Sequence, residues 1–257
     1  MKSNLTIRSL AILCVLAAAP ISSALADEEL AANPYRPSVG SPASLSAPGH
    51  FEVEAGFARE AAGDARLYNT PMLLKYAFTD RVGVTFGISP WVRMTEPGSS
   101  VSGNSDGTIT LKLAQPVTEA FMVGGELTAS VPVASNDLGS KRSDVTLNLI
   151  ASNDFAGFHS DINVNATRLG DAQEPGVSTQ ITGWSAGISR PLTERLGAGV
   201  EVSGTRQRGI GSSNQWLLFL SYSLSKKLVI DVYAAREHAA DSHTNKAGFG
   251  FTYLFAN

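Results

Sequence analysis

Residues 247–255 read AGFGFTYLF, and this stretch decides the fold. Phe249, Phe251, Tyr253 and Phe255 fall on one parity, while Gly248, Gly250 and Thr252 fall on the other. Side chains alternate across a β-strand, so a period of two means a strand with two unlike faces. Working back along the chain, the same alternation recurs in windows 51–57, 68–78, 82–88, 108–113, 121–133, 144–151, 161–166, 182–188, 196–203, 216–224 and 228–234. The expected fold is all-β: a closed antiparallel transmembrane β-barrel of about twelve strands in an up-and-down meander. The aromatic row of 247–255 then faces lipid.

The start of the chain fits export. Lys2 and Arg8 make a positive beginning, residues 10–19 are a short apolar run, and Ala24-Leu25-Ala26 is a small-x-small cleavage site. The organisation expected is a signal peptide over 1–26, a Pro-rich segment over 27–49 and the barrel over 50–257. In the middle piece Pro34, Pro37, Pro42 and Pro48 break any ladder, so it reads as a periplasmic lead-in or a partial plug of the lumen. The one cysteine, Cys14, lies in the leader. The rest of the chain therefore has no disulfide, no zinc-thiolate site and no cysteine nucleophile. The formal net charge is −3, and losing Lys2 and Arg8 makes the remainder more acidic, which argues against a nucleic-acid partner. Mean hydropathy is near zero, at +0.02. Amphipathic strands produce that value because their apolar face is averaged away.

The connections sort by length. Short turns are expected at 79–81, 115–119, 153–157, 191–194 and 225–227, and longer polar loops at 93–106, 135–143, 169–179 and 207–214. Short turns on one rim, long loops on the other and both barrel ends at the short-turn rim describe an outer-membrane barrel. A soluble β-sandwich has no reason to sort its loops this way.

Charges sharpen this reading. Glu52, Glu54, Lys75, Lys112, Glu126, Asp144, Asp161, Glu201 and Asp231 all sit on the parity opposite the apolar row. A Lys or Arg facing lipid at mid-depth costs roughly 2–4 kcal/mol. A soluble barrel with an apolar core would show the same period with the faces exchanged, so period alone does not choose. Aromatic placement does: Phe78, Phe121, Phe158, Tyr222 and Phe255 fall near the short-turn rim, and Tyr68, Trp91 and Trp216 near the other. Two girdles mark two water interfaces. Trp184 and Phe249 are mid-strand, and Trp91 breaks parity after Pro90, which predicts a bulge. The nine inward charges become candidate pore-lining groups. They comprise seven acids and two lysines, so an open pore would mildly favour cations. An open passage and a plugged lumen are both compatible with this wall.

Two hairpins carry a resemblance. The run Leu73-Leu74-Lys75-Tyr76-Ala77-Phe78-Thr79-Asp80-Arg81-Val82-Gly83-Val84 resembles a recurrent hairpin of the meta-pathway phenol-degradation-like barrel family. Gly183-Trp184-Ser185-Ala186-Gly187-Ile188-Ser189 with Leu192-Thr193-Glu194-Arg195-Leu196 resembles another. The resemblance implies a transporter type of barrel that passes small solutes, aromatic or hydrophobic ones among them. The C-terminus is similar to the signal read by the outer-membrane assembly machinery, through Lys246, Gly248, Phe251 and Tyr253, with Phe255 and two further residues beyond.

Catalytic and metal chemistry find little support. His159 and Ser160 are adjacent in extended chain and point to opposite faces, which defeats a Ser–His dyad. His238, Asp241 and His243 share a loop, where a solvated polar role outweighs a metal site. The expected function is a passive outer-membrane channel or transporter in a Gram-negative envelope. Its partners are membrane lipid, the assembly machinery and a small solute; no cofactor and no metal are implied. The alternatives are a plugged barrel with a structural or loop-mediated role, or a barrel hydrolase.

Overall fold

A computed structural model describes residues 30–171, 173–240 and 242–256. The leader and its cleavage site lie outside these residues, as does Asp241. The strands are β1 (Phe51–Ala62), β2 (Ala65–Asn69 continued by Met72–Ala77), β3 (Val82–Ile88 continued by Val92–Glu96) and β4 (Ser99–Gly103 continued by Gly107–Pro116). They continue as β5 (Phe121–Val131), β6 (Val145–Phe155), β7 (Phe158–Arg168) and β8 (Gln180–Pro191). Last come β9 (Leu196–Gln207), β10 (Gly211–Ser225), β11 (Leu228–Ala239) and β12 (Ser242–Phe255). Each strand pairs antiparallel with the next, and β12 returns to β1 from Phe51↔Phe255 to Ala61↔Asn245. The result is the closed twelve-stranded meander. Closure leaves no open edge, so the whole backbone ladder is satisfied within the wall.

The alternation finds the membrane part of the strands and misses stretches at their ends, most of all at the upper ends of β3 and β4. Two of the stretches read as long loops are largely strand. Val92–Glu96 and Ser99–Gly103 form a hairpin around Gly98, whose φ of 79° suits a residue without a Cβ. Gln207 pairs with Gly211, which reduces 207–214 to a tight turn. The physical reason is that lipid imposes the alternation, whereas the ladder is held by backbone groups that every residue carries. Above the lipid the strands continue without the pattern.

Pro71 and Pro90, which lack an N–H, mark the breaks in β2 and β3. Backbone bonds bridge the gaps, including Thr70 N–H to Trp91 O at 3.0 Å and Ser105 N–H to Ser89 O at 2.9 Å. Trp91's change of parity belongs to this irregularity. On the other rim β6 and β7 meet at Ala156-Gly157, both with positive φ (50° and 78°), as the twist of a two-residue hairpin requires.

Exposure fixes which face is which. Leu149 and Phe249 are 55% and 58% exposed, whereas Glu52 and Lys112 are 0% exposed. A continuous outer belt of Phe86, Leu111, Leu127, Leu147, Ile162, Val202, Leu218 and Val232 is exposed in the same way. Charges inside and an apolar belt outside invert a water-soluble barrel and match a lipid-facing wall.

Candidate functional site in the barrel lumen

The segment that precedes β1 runs inside the barrel. It enters at the short-turn rim, where Ala32 N–H donates to Lys226 O at 2.8 Å, and returns there, where Gly49 N–H donates to Ala77 O at 2.8 Å. Between these points it climbs to an apex around Val39 and Gly40. Its four prolines remove N–H donors that would need partners, and the N–H groups of Asn33, Tyr35, Arg36, Val39, Gly40, Ser41 and Ala43 meet wall acceptors.

The inward charges bind this segment. Lys75 pairs with Glu52 and with Glu54 (2.6 Å), and donates to Asn33 O at 2.6 Å. Glu52 accepts Asn33 N–H at 2.8 Å, and Glu54 accepts Tyr35 N–H and Arg36 N–H at 2.6 and 3.2 Å. Lys112 pairs with Glu126 at 2.9 Å and donates to Pro42 O at 2.6 Å. The ring of Tyr35 lies between the two ammonium groups, with Lys75 at 3.9 Å and Lys112 at 4.0 Å from its centroid. Burial makes such cation–π contacts stronger than at a wet surface. Arg36 grips Asp231 with two bonds of 3.1 and 3.2 Å. Glu201 accepts Val39 N–H and Gly40 N–H, both at 3.0 Å. Uncharged groups complete the seat. Asn163 exchanges two 3.1 Å bonds with Ser41, and Ser152 Oγ accepts Ala43 N–H at 2.7 Å.

Wall glycines make room for it. A Cβ on Gly250 would come 2.5 Å from Arg36 Nε, and one on Gly56 would come 2.6 Å from Arg36 Nη2. Gly83 similarly faces Leu45, and Gly124 faces Ala43. The inward wall is therefore cut to the shape of the segment as well as charged to match it.

The remaining candidates have smaller parts. Glu126 also accepts Asn148 Nδ2 at 3.0 Å, and Asp161 meets His159 at 3.2 Å and Ser152 Oγ. Asp144 lies at the long-loop rim, where it accepts Gly170 N–H at 2.9 Å. In β12, Lys246 turns inward to Glu237 at 2.8 Å and Glu60 at 3.8 Å. Gly248 underlies the ring of Tyr233, while Phe251 and Phe255 stand outward and Tyr253 meets Phe255 edge-on at 4.8 Å. His159 contacts Asp154 at 2.7 Å as well as Asp161, whereas Ser160 Oγ donates to Asn153 O, so the two adjacent residues do not form a dyad. The rings of His238 and His243 are 6.4 Å apart, and no metal-holding cluster occurs among the described residues.

Sequence reasoning did not name Asn33, Tyr35, Arg36, Val39 and Gly40 as site residues. One signal pointed toward them: a wall with seven acids and two lysines needs donors from elsewhere, and an extended Pro-rich segment next to the barrel can supply them. Two spaces remain beside the segment. One, about 350 Å³, lies beyond the apex and is lined by Asn148, Asn165, Ser203, Gln215, Glu237 and Lys246, among others. Two buried oxygens on this side, Asn148 Oδ1 and Ser185 Oγ, have no hydrogen-bond partner. The other, about 390 Å³, lies between residues 35–41 and 71–73.

The architecture has solved counterparts. The COG4313 outer membrane channel from Pseudomonas putida F1 superposes with a TM-score of 0.67 at 13% identity, covering 85% of this chain and 100% of that one. The translocator domain of the autotransporter NalP from Neisseria meningitidis gives 0.56 at 9% identity, covering 80% and 89%. The monoaromatic hydrocarbon channel CymD gives 0.54 at 9% identity, covering 82% and 90%. Likeness at this level of identity carries the fold. No protein-family model and no curated protein matches the chain.

Proposed function

We propose that this chain is an outer-membrane channel for the passive movement of small solutes, exported by a leader that is cleaved after Ala26, with residues 33–47 as the restricting element in its lumen. The observation that carries the reading is the lumen itself. It is polar along its wall, occupied in its short-turn half by one segment, and hollow beyond the apex. A barrel whose only role was structural would have no need of a hollow lined by amides, hydroxyls and the Lys246–Glu237–Glu60 cluster. The cavity beyond the apex suits solutes with hydrogen-bonding groups. The likeness of hairpins 73–84 and 183–196 to the phenol-degradation-like family extends the solute range to small aromatic compounds such as aromatic acids.

Liposome swelling across sugars, amino acids and aromatic acids tests the reading. Faster swelling with at least one class than in protein-free vesicles is the expected result. Protein-containing vesicles that exclude every class would favour the second reading, a permanently plugged barrel that presents its loops to a partner. The tight fit of Tyr35 and Arg36 is the observation behind that alternative. The C-terminal strand is proposed as the assembly signal. Changing Phe251 and Tyr253 together to Ala should lower the heat-modifiable, membrane-inserted fraction in cells, and an unchanged fraction would remove that role.

A further inference from the structure

The outward face of the barrel carries a charge pattern that the lumen does not explain. Among the described strand residues, every charged side chain on the lipid-facing parity is an arginine. Arg59 follows Phe57 and Phe51 on the outward row of β1, and it pairs across the ladder with Tyr68, which pairs with Arg93. Arg168 follows Ile162 and Val164, Arg206 follows Val200 and Val202, and Arg236 follows Ile230 and Val232 on their own outward rows. No ion pair to a described residue engages any of these five. Arg236 is half-buried, and its Nε has no acceptor. Arg66, outward as well, donates to turn carbonyls, including Ala65 O. The carboxylates of the strands all lie on the opposite, inward parity.

These arginines share a level. Arg59 is eight residues above the start of β1, and Arg93 is eleven above the start of β3. At about 3.3 Å per residue and a tilt of about 40°, that places them roughly 20–28 Å above the short-turn rim. An apolar band is about 25 Å tall, so the guanidinium groups stand at the far interface, directly over the belt of Leu147, Val164, Val202 and Leu218. The near interface has one arginine on the outward row, Arg190, whose guanidinium rests 4.9 Å from the ring of Phe158. A planar guanidinium matches the two oxygens of a phosphate, and it is held less tightly by water than an ammonium. The use of arginine, with no lysine in the row, is chemically specific.

We infer that Arg59, Arg93, Arg168, Arg206 and Arg236 form a ring that binds the phosphate groups of a phosphorylated glycolipid in the outer leaflet, with its acyl chains on the apolar belt below. The inference rests on the outer-membrane reading proposed above, with the short-turn rim and both barrel ends on the periplasmic side and the long loops outward. Charge complementarity, the shared height and the continuity with the exposed apolar belt all favour a lipid over a soluble anion.

The test uses the full chain, purified in neutral detergent and titrated with diphosphoryl lipid A in mixed micelles, with binding read by native mass spectrometry. The wild type should bind it in a salt-sensitive way. It should bind the dephosphorylated lipid at least about tenfold more weakly, and millimolar inorganic phosphate should not compete. The variant R59Q/R93Q/R168Q/R206Q should lose about tenfold or more in affinity for the diphosphoryl lipid, while R190Q should bind as the wild type does. Equal binding of the two lipids by the wild type, or full retention by the four-site variant, would overturn the inference. The comparison of lipids needs no variant, so a folding defect in the variant does not leave the idea untested. Swelling rates of the wild type in vesicles free of this lipid report on the channel reading separately: their absence would count against that reading and leave the lipid comparison standing.

Discussion

At the scale of single residues, Arg36 and Asp231 tie the lumen segment to β11. They lie 195 positions apart in the chain and meet through two bonds, with Gly56 and Gly250 leaving space for the guanidinium. A buried pair adds little when intact, but removing one partner strands a charge and costs about 3–5 kcal/mol. Arg36→Ala should therefore loosen the apex and raise single-channel conductance in planar bilayers. The double change Arg36→Ala with Asp231→Asn removes the stranded charge and should give a smaller rise. An R36A protein with wild-type conductance would show that the apex is held elsewhere. Tyr35 is the second key residue, because its ring separates two buried ammonium groups that would otherwise repel.

At the scale of elements, depth in the membrane changes along each strand. β6 illustrates this. Leu147 and Leu149 are outward and exposed in its middle, whereas Val145 begins the strand at the long-loop rim. Leu149→Arg should cost about 2–4 kcal/mol, and Val145→Arg only about 0–1, because the penalty follows depth. Urea titration of refolding into vesicles measures both, and equal costs would place the lipid boundary elsewhere. β12 combines both faces within a few residues: Lys246 in an inward cluster, Phe249 and Phe251 outward, and a closing ladder with β1. Its closure depends on strands at the two ends of the barrel meeting, which is the most non-local pairing in the molecule.

At the scale of the whole molecule, the inward charges are neutralised partly within the wall and partly by the lumen segment. Lys75 and Lys112 are shared with Glu52, Glu54 and Glu126, Arg36 covers Asp231, and backbone N–H groups cover Glu201. Deleting residues 33–47 leaves Asp231 and Glu201 facing water without these partners. The deletion should raise conductance and shift the reversal potential in a salt gradient toward cation selectivity. An anion-selective or unchanged channel would mean that the segment neither blocks the lumen nor sets its charge.

The sequence by itself determined the strand count, the meander and the sorting of faces, because lipid on one side and water on the other impose a period of two that any reader of residues can follow. Phe249, Phe251, Tyr253 and Phe255 show it in one stretch, and the nine inward charges repeat it around the wall. It also marked the Pro-rich segment as something other than strand. What each inward charge touches was decided only by the tertiary structure. Glu201 meets Gly40 and Lys112 meets Pro42 across separations of 161 and 70 residues, and no local pattern encodes such meetings. The upper ends of β3 and β4 were hidden for the complementary reason: backbone hydrogen bonds hold them, and backbone groups are the same at every residue. The alternation in AGFGFTYLF thus fixes which way a side chain points, and barrel closure fixes what it finds there.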